Sequence, residues 1–287
     1  MQPHGAPPGR GASRNLCSRC PVRRGPEGRV IEGHSHALSG ACTGLAAGLF
    51  LHLRLPADAA LAGFTAGTSL LPDLDSCGSS AARCLGFASR ALAWVISKLS
   101  RGHRHLTHSL PGVGIMTGLA WLACHYRHDW GGLAGLVVLV GLSVSAGLEA
   151  LHVTGGHLAD VLGLAAAIGV VVYGYGLTLI PLATAIGLAT HVVGDMLTDS
   201  GVRLLYPFSS FKFHLLPEPL AFTTGTRPET RIVDPALYGV FALLVLWAVS
   251  PALGHHLYQH VAAWARAFHL PPGRALSRLF HLSRYID

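Results

Sequence analysis

Charge is what this chain has least of. Asp, Glu, Lys and Arg together make up 12% of its 287 residues, about half the share of roughly 25% usual in soluble globular domains. So thin a supply points to a membrane as the solvent for most of the chain, with a single large soluble helical domain as the alternative. Strict apolar–polar alternation is also lacking, which excludes a β-rich fold and leaves an all-α class. Cysteines number six. Four of them, Cys42, Cys77, Cys84 and Cys124, are scattered through or beside apolar stretches. They read as small buried hydrophobes in a reducing setting, and a disulfide framework is excluded. Cys17 and Cys20 form a single CxxC without a second pair; the spacing reads as incidental against zinc or redox chemistry. There is no Ser nucleophile elbow, no Walker loop and no dinucleotide fingerprint, and no internal repeat.

The formal net charge of +7 sits mostly in one place, because residues 1–29 hold six Arg and one Glu. The remainder is close to neutral, which argues against nucleic-acid binding by the body of the protein. The 1–29 segment is rich in Pro, Gly and Arg and has no apolar run, so it does not read as a secretory signal peptide and is expected to be a disordered tail. Val30, a residue that an alternative bacterial start codon encodes, directly precedes the first motif-like segment, and a start there is an alternative to Met1. Three stretches are therefore expected: the basic tail, a membrane-embedded helical domain over 30–254, and an amphipathic or flexible segment over 255–287.

What is abundant is Leu, Ala, Val and Gly, small side chains that let membrane helices approach closely. Apolar helices are expected over 38–55 and 57–71, split by Pro56, and over 110–125, 181–198 and 236–253. Residues 131–151 and 158–180 are the two best spanning candidates, each long enough for a ~30 Å hydrocarbon core. Residues 77–101 carry Arg83, Arg90, Lys98 and Arg101 among Leu, Ala and Trp94, a cationic amphipathic pattern that suits a membrane surface. Residues 203–234 read as irregular. The predicted architecture is a polytopic membrane helix bundle.

Three polar knots interrupt this apolar chain: LLPDLDS at 70–76, HRHLTHS at 103–109 and HVVGDMLTDSG at 191–201. Asp and His are costly in apolar surroundings unless they share a partner, and a divalent metal ion is the common partner that suits both. After Pro72 an extended backbone would aim Asp73 and Asp75 the same way; the alternative is that they cap a helix start. His191 and Asp195 stand i, i+4 on one helical face, as ligands or as a bracing hydrogen bond. Thr198 lies near that face. His103, His105 and His108 accompany Arg104, whose guanidinium suits a phosphate or carboxylate; the alternative is a basic face against lipid headgroups. Thr107 and Ser109 are candidate caps for the helix starting at Pro111. His34 and His36 lie beside Glu32 and offer a further ligand. Glu149 with His152, and His157 with Asp160, form helical pairs outside the knots, read as structural. Arg90, Lys98, Arg101, Arg104, Arg203 and Lys212 flank the second and third knots, which places these on the cytoplasmic side.

The order EGHSHALSG, LLPDLD, GHRHLTHSL, HVVGDMLTDSGVRLLYPF resembles the YdjM-like, LexA-regulated, inner-membrane-associated family of metal-dependent hydrolases. The resemblance spans about residues 32–230, with 110–190 matched only in hydrophobicity. Carried over by position, it implies His36, Asp73, Asp75, His103, His108, His191 and Asp195 as metal or active-site residues. Arg104, Thr107 and Thr198 also fall on motif positions, and TTGTRPE marks Glu229. His105 stands where Gly is common, and Asp199 and Arg203 where Pro-like residues are common. The expected cofactor is one or two divalent ions, zinc first, with manganese or magnesium as alternatives. Seven ligand-type residues exceed the three or so that one catalytic zinc needs, a surplus that suits phosphoester hydrolysis. The helical His/Asp pattern is also faintly similar to zinc-dependent phospholipases C. The expected partners are membrane lipid and an anionic lipid or phosphoester substrate, at the inner membrane. A non-enzymatic metal-binding or transport protein is the alternative; it would place ligands at mid-membrane on broken helices. A purely structural role for the knots predicts no bound metal.

Overall fold

Proline opens several elements of this chain, because the first helical turn has no use for the N–H that proline lacks. The computed structural model describes residues 33–76, 78–102, 104–217, 221, 223, 226, 228–250 and 259. Pro56 sits at the start of α2 (Leu55–Thr68), Pro111 at the start of α4 (Leu110–His125) and Pro235 at the start of α8 (Asp234–Val249). The other helices are α1 (His34–Phe50), α3 (Phe87–Ser100), α5 (Trp130–Ala150), α6 (His157–Tyr173) and α7 (Leu179–Met196). Among the described residues there is no strand, only an isolated antiparallel bridge between Val202 and Phe213 in the segment after α7. The chain is an all-α, polytopic membrane helix bundle. The 1–29 tail and its CxxC pair, Cys77, His103 and nearly all of 255–287 lie outside the described residues.

Among the described residues three runs are long and apolar enough to cross a bilayer: α5, α7 and Glu229–Val249, with mean hydropathy 2.0, 1.4 and 2.1. The expected span over 131–151 is α5. The expected span over 158–180 is not one helix. It stops after Tyr173, where Gly174 takes the left-handed conformation at φ 67°, and α7 begins at Leu179. Uniform apolar composition hid the break, since glycine ends a helix without changing hydropathy. The surface around the bundle is apolar: Leu119, Trp121, Val161, Val172 and Val249 are all exposed, and α8 has no buried residue.

Close backbone approach holds the helices together, as expected where lipid removes most of the hydrophobic drive between them. Gly40 and Gly44 of α1 face Thr65 and Ser69 at α2, and Gly187 of α7 faces Thr68. Gly67 packs against the Ser143 carbonyl of α5 so tightly that a methyl group at position 67 would overlap that oxygen. A core of Ala37, Leu70, Leu74, Ala82, Leu142 and Leu188 fills the space between these contacts. Cys42 and Cys84 are buried and free, and burial pushes the Cys84 thiol up to about 12, as befits an inert packing residue.

Candidate metal centre

The three knots meet at one end of the bundle, where α1 and α4 begin and α2 and α7 end. The first turn of α1 supplies His36. A 3-10 turn, Pro72–Asp75, supplies the carboxylates, and a second, Leu106–His108, supplies Thr107 and His108. The last turns of α7 supply His191 and Asp195. Ser109 caps α4 by accepting the Gly112 N–H at 3.1 Å; Thr107 does not cap.

The Pro72–Asp75 segment is helical, not extended as expected. Pro72 occupies the start of the turn and Leu74 N–H bonds to the Leu71 carbonyl at 3.0 Å. The two carboxylates therefore diverge. Asp73 Oδ1 lies 3.6 Å from His108 Nε2 and 3.7 Å from His191 Nε2. Asp75 Oδ2 instead accepts from Thr107 Oγ1 at 2.7 Å and from the Arg104 N–H at 3.2 Å. Asp75 thus orients the groups beside the imidazoles.

Hydrogen-bond polarity assigns the Nδ1 protons. His191 Nδ1 lies 2.6 Å from the Ser69 carbonyl oxygen. A carbonyl only accepts, so Nδ1 carries a proton. Thr107 gives its hydroxyl proton to Asp75, so it accepts from His108 Nδ1 at 2.9 Å. The two Nε2 atoms face each other at 3.0 Å. Asp195 Oδ2 stands 3.4 Å from one and 3.7 Å from the other, and it is buried with no hydrogen-bond donor. With Asp73 Oδ1, four possible ligand atoms thus converge. Desolvated carboxylates so placed repel unless a cation lies among them.

The donor set fits a divalent metal. His36, His191 and Asp195 offer ligand atoms within 4.8 Å of one another, and so do Asp73, His108 and His191. His191 belongs to both groups, and its bond to the Ser69 carbonyl is the outer-shell contact that metal-bound histidines regularly make. The His36 ring stacks on His191 with centroids 4.0 Å apart. Arg104, in the left-handed region at φ 60°, reaches across with Nη2 on Asp195 Oδ1 at 3.0 Å and Nη1 on Thr198 Oγ1 at 3.3 Å. Thr198 in turn donates to the Asp195 carbonyl at 2.7 Å. His108, His191 and Asp195 are buried, whereas the side chains of Asp73, His36 and Arg104 keep 20%, 11% and 20% of their surface open. Those three form the mouth.

The nine described residues expected at the site, His36, Asp73, Asp75, Arg104, Thr107, His108, His191, Asp195 and Thr198, are brought together; His103 lies outside the described residues. His34 turns away, with Nδ1 on the Ala150 carbonyl at 2.7 Å and Nε2 on Tyr238 at 3.0 Å. Glu229 is buried and accepts from Ser35, next to His36. Glu149 and Asp160 bond locally to the Gly156 N–H and Ser145. His105 and Arg203, both departures from the family pattern, touch each other, and His105 stacks on Tyr206. Two contributors escaped the sequence reading. The Ser69 carbonyl leaves no side-chain signal. Gly194 carries a sequence signal, a small residue directly before Asp195, that went unread: a Cβ there would stand 3.1 Å from the His36 ring. Gly194→Val is therefore expected to push His36 off His191 and weaken metal binding by about tenfold or more, the scale of a disturbed outer shell; metal titration of the purified variant checks it.

Helices apolar and long enough to cross a bilayer, with a buried His/Asp cluster at their ends, define a membrane-embedded class of protein. The chain belongs to the family described as YdjM inner membrane protein, whose model matches residues 31–263. No curated protein matches the chain, and no solved structure does.

Proposed function

We propose that this protein is a membrane-bound, metal-dependent hydrolase acting on a phosphoester such as a phospholipid or other lipid phosphate. The observation that carries the reading is the convergence of two imidazole nitrogens, His108 Nε2 and His191 Nε2, 3.0 Å apart, with the carboxylates of Asp73 and Asp195. A divalent ion held by His36, Asp73, His108, His191 and Asp195 supplies a Lewis acid and an acidified water. Zinc suits this mixture of imidazole and carboxylate best, as one ion or two, with manganese or magnesium as alternatives. Asp73 is the ligand carboxylate at the mouth, the more open of the two that face the imidazoles. Arg104 is the cation at the mouth and offers its guanidinium to anionic phosphoryl oxygens. Asp75 and Thr107 hold the His108 tautomer, and Thr198 holds the end of α7.

The protein is multi-pass in this reading, with the centre on the cytoplasmic side. Arg83, Arg90, Lys98, Arg101, Arg104, Arg203 and Lys212 all lie in segments at the end that bears the centre, and only Arg54 and Arg127 lie at the other among the described residues. Such a bias marks the cytoplasmic face. The position at helix ends favours an interfacial active site over a mid-membrane permeation path.

Elemental analysis of the purified full chain, followed by a screen of lipid and soluble phosphoesters with and without chelator, tests the proposal. It requires bound divalent metal and hydrolysis that chelation stops and metal restores. Metal-free protein that is fully folded and stable would overturn it. Arg104→Ala is expected to raise KM for an anionic substrate by about tenfold, the effect of ~1.4 kcal/mol of lost binding, with a smaller fall in metal content, because Arg104 braces Asp195 without ligating. Steady-state kinetics beside metal analysis separates the two effects.

A further inference from the structure

The turn that carries Asp73 has a second face. Leu71 and Leu74 are buried, 3% and 2% exposed, and both line an apolar groove of about 170 Å³ between α3, α4, α5 and α7. Leu92 and Ile96 of α3 lie across its upper end, and Met116, Leu119 and Val138 of α4 and α5 form its length. The same four-residue turn thus gives Asp73 to the centre and Leu74 to the groove.

Three observations say what the groove takes. Its lining is hydrocarbon apart from Thr184, whose hydroxyl is already committed to the Ile180 carbonyl at 2.8 Å; a cavity without free polar partners does not hold water. Its outer wall is open, with Leu119 59% and Val138 44% exposed, on a surface that faces lipid in a membrane bundle. Its direction is that of a lipid. It starts at the level of the centre, under α3 with its Arg90, Lys98 and exposed Trp94. From there it runs along α4 from Met116 toward Ala123, ~10 Å at the helical rise, away from the end that bears the centre. A cationic amphipathic helix with an exposed Trp suits headgroup depth, and what lies below headgroups is acyl chain.

We propose that this groove holds one alkyl chain of the lipid phosphate whose headgroup the metal centre takes. The proposal rests on the reading of the centre as a phosphoester hydrolase, and it names the class of substrate: a single-chain or multi-chain lipid phosphate, selected by its chain as well as its phosphate. The chain anchors the substrate laterally from the bilayer, while Arg104 and the mouth receive the head.

The test uses the full chain in lipid nanodiscs, loaded with zinc, and a dodecyl phosphate bearing a diazirine at the chain end. Irradiation and peptide mapping are expected to place the adducts on α4 and α5 within 116–142, and excess plain dodecyl phosphate should suppress them. Leu119→Trp and Val138→Trp change half-exposed rim positions, so folding and metal content should hold. Each is expected to lower labelling, and to lower kcat/KM for dodecyl phosphate by about tenfold, the scale set by one or two methylenes in a pocket. Hydrolysis of phenyl phosphate, which has no chain, should stay unchanged. Adducts confined to the larger cavity of about 370 Å³ between α2, α5, α6 and α7, or labelling that both tryptophans leave intact, overturns the groove as the chain site. The two readings fail separately. Zinc-loaded protein that labels in the groove but cleaves neither ester sinks the hydrolase and keeps the groove. Equal cleavage of both esters by wild type and both variants sinks the groove and keeps the hydrolase.

Discussion

Asp195→Asn is expected to strip the metal while leaving the bundle folded. Asp195 touches every part of the centre: Oδ2 faces His108 and His191, and Oδ1 faces His36 at 3.6 Å and Arg104 at 3.0 Å. Asparagine keeps the volume and removes the charge. Its amide N–H can donate to an imidazole Nε2, which removes the charge that a cation would otherwise balance. The variant should therefore be at least as stable without metal as the wild type is. Affinity for the ion should fall by more than the ~10–100-fold typical of an outer-shell change, because a direct donor is lost. Any metal-dependent hydrolysis should go with it. Metal stoichiometry after dialysis and the thermal midpoint in detergent are the two readouts. If Asp195 only braced His191, metal content would not move, and that result would take Asp195 out of the centre.

Gly67→Ala is expected to be among the most damaging single methyl additions in the protein. The new Cβ would overlap the Ser143 carbonyl and sit against its Cα. Backbone, unlike the end of a flexible side chain, has nowhere to go. Helices α2 and α5 must separate, at a cost of ~3 kcal/mol, the top of the usual range for an overpacked core. The damage should also reach the centre, since Ser69, just past the end of α2, holds the His191 tautomer through its carbonyl. Gly63→Ala on the same helix is the control: nothing lies within 4 Å of its Cβ, and alanine is the better helix former by ~1 kcal/mol. A lower melting point for Gly67→Ala with no loss for Gly63→Ala fits the packing account. Equal behaviour of the two would contradict it.

Helix class, membrane character and the identities of the polar residues were legible because each is a local property of the chain. Scarce charge and long apolar runs specify the solvent, and proline and glycine punctuate the elements. An Asp or His inside an apolar stretch announces its own cost wherever it sits, so the knots stood out without knowledge of their contacts. The i, i+4 spacing of His191 and Asp195 survived into the structure because α7 continues through both.

The misreadings came where one residue changes the path of the backbone without changing composition. Gly174 broke an expected span, and Pro72 opened a 3-10 turn where an extended segment was expected. That turn parted Asp73 from Asp75, so equivalent carboxylates in sequence have different partners in space. The sequence by itself determined an all-α membrane protein of the YdjM type with a His/Asp centre. The tertiary structure alone decided which nitrogens face one another, which carboxylates face them and which one only orients their neighbours. Those choices rest on a backbone carbonyl, a threonine proton and a glycine-tight helix contact brought together from distant parts of the chain, and no local pattern encodes such encounters.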